Sequence, residues 1–86
     1  MTLHHPVHPG ESIRDCLEEA GLTVTELADR LGMDRSTLHR LLSGRIALTA
    51  RTALALERMG WSTARHWLRM QGAFDLAQER RRETAA

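Results

Sequence analysis

The chain has 86 residues, with 12 basic against 11 acidic side chains and a formal net charge of +1. That length suits one domain with a modest core, and a balance so near neutral carries no argument for nucleic acid by itself. Hydrophobic residues make up 42% but aromatics only 3%, so the core must be drawn mainly from Leu and Ala, which favours helices over sheets.

Residues 1 to 8 read as a flexible N-terminal tail. A first helix is predicted from Gly10 to Ala20, with Ile13, Cys16, Leu17 and Ala20 inward, Glu18 and Glu19 outward, and Pro9 tolerated at its start. The one cysteine, Cys16, excludes an internal disulfide and reads as core filling. Thr23 is placed to cap a second helix whose apolar face is Leu27, Ala28 and Leu31, with Glu26 at the spacing of a capping box and Gly32 as its stop. Asp34 caps a third, with Leu38, Leu41 and Leu42 forming its buried stripe. Two short helices joined by so tight a turn are the signature of a helix-turn-helix. A fourth helix is predicted from the Thr49 cap to about Met59, with Ala53, Leu56 and Met59 inward and Gly60 ending it. The fifth begins after Ser62 and runs to about Arg82, and residues 80 to 86 read as a C-terminal tail. Its apolar residues, Ala64, Trp67, Leu68, Met70, Phe74, Leu76 and Ala77, spread too widely for a single buried stripe. Two burial partners are therefore expected, the domain core and a second protomer, with Trp67, Met70 and Phe74 as the dimer interface and plain core burial of the same residues as the alternative.

The polar face of the third helix carries Arg35, Ser36, His39 and Arg40. Arginine bonds the O6 and N7 of guanine bidentately, and Ser and His reach base edges or phosphates, so these four are the candidate base readers in a major groove. Charge is distributed to match. Residues 1 to 34 hold two arginines against seven carboxylates, a balance of −5, whereas residues 35 to 69 hold seven arginines against Glu57 alone, a balance of +6. A phosphate-facing surface needs such a concentration, because releasing condensed counterions supplies much of the affinity. Thr23, the backbone amide of Val24, Thr37, Ser43 and Arg45 are the candidate phosphate contacts, the first two at the donor-rich start of the second helix.

His8-Pro9-Gly10-Glu11, then Leu22-Thr23-Val24-Thr25-Glu26-Leu27-Ala28 and Arg35-Ser36-Thr37-Leu38-His39-Arg40-Leu41-Leu42-Ser43-Gly44-Arg45, followed by Trp67-Leu68 with Gln71 and Phe74-Asp75-Leu76, resemble the HigA/VapI group of antitoxins in the Xre/Cro repressor superfamily. The resemblance covers residues 8 to 78. It implies an all-α, five-helix domain like that of lambda repressor over residues 9 to 79. It also implies a homodimer on a palindromic operator, cytoplasmic and nucleoid-associated, that neutralises a HigB-like mRNA endonuclease toxin. A solitary repressor of the same fold, with no toxin beside it, is the alternative. Asp34 departs from the Ser or Thr usual at that position and puts a carboxylate near the DNA backbone.

Other classes find little support. His4, His5 and His8 lack a fourth ligand of matching geometry for a metal, and no nucleophile–base set, paired carboxylates or phosphate loop marks an enzyme or a cofactor site. No apolar run is long enough for a bilayer, and no signal-peptide core opens the chain, so no membrane partner is expected.

Overall fold

Every helix starts on a side chain that accepts from its own first turn. In the computed structural model, which describes residues 5 to 85, His8 Nδ1 accepts from Gly10 N at 2.9 Å, Thr23 Oγ1 from Glu26 N at 3.1 Å, Asp34 Oδ1 from Thr37 N at 3.0 Å, Thr49 Oγ1 from Thr52 N at 3.3 Å and Thr63 Oγ1 from His66 N at 3.1 Å. The resulting helices are α1 (Pro9–Ala20), α2 (Val24–Leu31), α3 (Arg35–Leu42), α4 (Ala50–Arg58) and α5 (Ala64–Ala85), with no strand among the described residues. This is the all-α, five-helix architecture that the sequence implies.

The core is Ile13 and Leu17 of α1, Leu27, Ala28 and Leu31 of α2, Leu38, Leu41 and Leu42 of α3, then Leu48, Ala53, Ala55, Leu56 and Trp67. Helix α1 packs on α3 and α5, α2 on α3 and α4, and α4 on α5. The α1–α3 contact is unusually close. A Cβ on Gly10 would sit inside the radius of Leu41 O and 3.0 Å from Leu42 O, both backbone atoms, so only glycine fits there. Cys16 is half-buried, and burial with Glu19 and Asp15 nearby pushes its thiol pKa up, which suits an inert filler. Ala20 is exposed rather than inward, opening onto a groove beside Gly60, Trp61 and Ser62.

Three expectations about the ends and the dimer face are corrected. His8 does not belong to a tail: it is 5% exposed, it caps α1, and its Nε2 reaches the Ile46 carbonyl at 3.0 Å. Residues 1 to 4 of the expected tail lie outside the described residues, while His5 meets Arg81 of α5 at 2.8 Å. Helix α5 continues through the expected C-terminal tail to Ala85. Trp67 is not available to a partner subunit, because it is 3% exposed in the core and its Nε1 donates to Trp61 O at 2.6 Å. Met70 is half-buried against the core, and Phe74 is half-buried with its ring edge-on to His8, the centroids 5.0 Å apart. The large apolar side chains that α5 leaves most open to solvent are Leu68 and Leu76, about 80° apart around the helix, while Met70 and Phe74 keep part of their surface exposed.

Candidate nucleic-acid interface

Helix α3 is divided by burial. Leu38, Leu41 and Leu42 are sealed against α1 and α2, and Arg35, Ser36, His39 and Arg40 are all exposed on the opposite side. The α2–α3 turn that sets this face depends on Gly32, whose φ of 69° is a left-handed conformation that closes α2 through its N–H to Ala28 and Asp29 carbonyls. Asp34 then opens α3. Its carboxyl pKa is lowered, first by the side-chain and backbone hydrogen bonds with Thr37 and further by the charge on Arg40, so the carboxylate stays ionised at the helix start.

The phosphate candidates are placed less uniformly. In the capping box Thr23 N donates to Glu26 Oε1 at 2.9 Å and Glu26 N returns a bond to Thr23 Oγ1. Helix geometry therefore leaves the Val24 and Thr25 amides directed out of the start of α2. Those bonds also hold the Glu26 pKa below the ordinary range. The Thr37 amide is already committed to Asp34, so its half-buried hydroxyl is what remains for a ligand. Ser43 Oγ donates to Arg40 O at 3.2 Å, and only its lone pairs face outward until that bond turns. Arg45 is exposed, with its backbone fixed by a 2.9 Å bond from its N–H to Arg40 O. The ion pair found among the described residues is Arg82 with Glu79. Arg35, Arg40 and Arg45 thus present charge that no carboxylate within 4.0 Å neutralises there.

The sequence reading gave His8 a place in a tail and Gln71 no role. Both are buried and polar, and both bond the backbone that joins α3 to α4. A signal for His8 was present, since a polar residue directly before a Pro at the first helical position is where an N-cap belongs. Both ring nitrogens of His8 are engaged in bonds within the fold, which removes it from any metal site with His5; His4 lies outside the described residues.

A helix-turn-helix family model matches residues 13–59. Antitoxin HigA-1 of Vibrio cholerae is 37% identical over 82 residues, which span 94% of this chain and 77% of that protein. Among solved structures, an addiction module antidote protein of the HigA family from Coxiella burnetii superposes with a TM-score of 0.85 at 28% identity, over 95% of this chain and 90% of the other. The Pseudomonas aeruginosa antitoxin HigA, solved with the higBA promoter, gives a TM-score of 0.80 at 29% identity over 87% of this chain and 83% of the other.

Proposed function

Because the chain belongs to the helix-turn-helix family that includes the HigA antitoxins, we propose that it is a DNA-binding antitoxin that represses its own operon and neutralises a toxin made from the neighbouring gene. Two copies sit on a palindromic operator, each with α3 in the major groove, and half-site centres are about 34 Å apart. The observation that carries this reading is the exposed face of α3, where Arg35 and Arg40 stand opposite three buried leucines and form no ion pair within 4.0 Å among the described residues. Arg35 and Arg40 read bases, with Ser36 and His39 as supporting contacts. The Val24 amide, Thr23, Thr37, Ser43 and Arg45 engage phosphates around them.

The activity is binding rather than catalysis. No helix among the described residues is long and apolar enough to cross a membrane, which fits a protein that meets DNA in the cytoplasm. The second protomer docks on the side of α5 that carries Leu68 and Leu76, 37% and 51% exposed. Those are the large apolar side chains on that helix with the most area left to bury.

Gel shifts with DNA from the promoter of the chain's own gene and with random duplex test the site. Arg35→Ala and Arg40→Ala each weaken promoter binding by about 1–3 kcal/mol while leaving the helical circular dichroism spectrum intact. Unchanged promoter binding in both variants would remove α3 as the reader. Co-expression with the adjacent gene tests the partner: a toxin arrests growth when expressed alone and co-purifies with this protein. A harmless neighbour that does not co-purify indicates the solitary repressor.

A further inference from the structure

Two motifs remain without work once α3 is assigned to DNA: His8-Pro9-Gly10 at the start of α1, and Gln71 with Asp75 in α5. They meet on the chain segment between α3 and α4. His8 Nδ1 accepts the Gly10 N–H at 2.9 Å, which fixes the ring proton on Nε2, and Nε2 donates to the Ile46 carbonyl at 3.0 Å. Gln71 Oε1 accepts the Leu48 N–H at 2.8 Å, while Gln71 Nε2 donates to Asp75 Oδ1 at 2.9 Å. A carbonyl and an amide two residues apart are therefore each held by a side chain from elsewhere in the fold.

Burial marks these bonds as constraining. His8 is 5% and Gln71 6% exposed, so neither side chain has water to exchange for its partner. Phe74, one turn after Gln71 on α5, closes the side of the His8 ring edge-on. Gly44, at a left-handed φ of 78°, packs beside the ring, where a Cβ would make only an ordinary van der Waals contact of 3.5 Å with His8 Cγ. As far as Arg45 the segment is tied to α3 by the Ser43, Gly44 and Arg45 N–H groups, which donate to the His39, Leu41 and Arg40 carbonyls, but past Arg45 it has little of its own to hold it. Arg45 and Ala47 are exposed, Ile46 is half-buried, and Leu48 is its one fully buried side chain.

We propose that His8 and Gln71 are positioning residues of the DNA interface. They clamp the backbone at Ile46 and Leu48 so that Ser43 and Arg45, at the end of the recognition helix, are held where phosphates lie. They also tie that position to α5 through Gln71, Asp75 and Phe74. Short loops on a protein surface sample many backbone conformations unless tied down, and a phosphate contact made from a wandering loop loses the affinity spent on ordering it. The inference rests on the reading of α3 as a DNA reader. It adds that the quality of the interface is set by buried groups that touch no nucleic acid.

The test separates the clamp from plain stability. Asn places an amide oxygen where His8 has Nδ1 but offers no group at Nε2, so His8→Asn keeps the cap and loses the Ile46 bond. His8→Gln returns an N–H toward that carbonyl. Gln71→Leu removes the acceptor for Leu48, whereas Gln71→Glu/Asp75→Asn keeps it and reverses the polarity of the second bond at unchanged net charge. Fluorescence anisotropy is measured across a salt series, with labelled duplex from the chain's own promoter, at a temperature where circular dichroism shows each variant fully folded. Loss of one phosphate contact predicts that His8→Asn and Gln71→Leu bind about fivefold more weakly near 0.15 M salt, with a log–log salt slope flatter by about one unit. His8→Gln and the Gln71→Glu/Asp75→Asn pair recover affinity and slope relative to those two. Variants that melt at lower temperature yet bind with the wild-type affinity and slope overturn the proposal, as does failure of both rescues. A wild-type protein that binds neither promoter nor random duplex overturns the DNA reading itself, and it does so without reference to any variant.

Discussion

Gly10→Ala is the substitution with the sharpest expected consequence, because the atoms it meets cannot turn aside. A Cβ at this position lands on the Leu41 carbonyl and 3.0 Å from that of Leu42, and the His8 ring nitrogen that caps the helix is 3.1 Å away. The two carbonyls are main-chain atoms of α3, so relief requires α1 and α3 to separate by on the order of an ångström in a core packed at crystal-like density. Overpacking of this kind costs about 3 kcal/mol, and the better helix propensity of alanine returns at most about 1 kcal/mol, which leaves a net loss near 2 kcal/mol. For a domain of this size the melting temperature then falls by about 8–16 °C. Gly72→Ala is the control in the same chain. It is also helical, nothing lies within 4 Å of its added Cβ, and it should raise the melting temperature by about 4–8 °C. Thermal melts followed by circular dichroism read both. A Gly10→Ala protein that melts with the wild type or above it would refute the close α1–α3 approach.

Trp67→Ala should cost about 3–5 kcal/mol as a core deletion, whereas Leu68→Glu with Leu76→Glu should leave a folded monomer; sedimentation and melts together distinguish the two, and a dimeric double variant would move the interface elsewhere. Arg45→Ala should weaken promoter and random DNA alike and flatten the salt slope by about one unit, and a loss confined to promoter DNA would make Arg45 a base reader. Asp34 has a lowered pKa in the fold, so its contribution is full above the unfolded carboxyl value of about 4 and disappears as pH falls through the lower folded value. Asp34→Asn keeps the cap and removes that acid-sensitive part, so its melting temperature should fall less than wild type's below about pH 4, and its DNA affinity should rise slightly as a negative charge leaves the interface.

The residues that announced themselves in the sequence were those whose structural role is local. The Thr23–Glu26 capping box, the Asp34 and Thr49 caps and the stop at Gly32 operate within three or four residues, so spacing alone located α2, α3 and the start of α4. The split of α3 into Leu38, Leu41 and Leu42 against Arg35, Ser36, His39 and Arg40 followed from helical periodicity in the same way. His8 and Gln71 were misjudged or passed over because their partners are distant in sequence. His8 bonds Ile46, 38 residues away, and Gln71 bonds Leu48, 23 residues away; no periodicity encodes such contacts. Trp67 drew attention as an aromatic on an over-apolar helix, but its indole N–H is satisfied by Trp61 O within the domain. The wide apolar spread of α5 arises because one side packs on α1 and α4 while Leu68 and Leu76 remain outside.

The corner where α4 hands over to α5 also fixes what light can report about this molecule. The chain has two tryptophans and no tyrosine. Both indoles lie at that corner, Trp61 half-buried and Trp67 in the core, with the Trp67 indole N–H donating to the Trp61 backbone carbonyl at 2.6 Å. Neither α2, α3 nor the segment carrying Arg45 contains an absorbing ring of this kind. Intrinsic emission therefore follows the melting of the domain and is blind to direct stacking or quenching by a nucleobase at the recognition helix. Unfolding can be followed in the presence of bound DNA without a label, so the stabilisation that DNA confers on the fold can be read from the protein's own fluorescence.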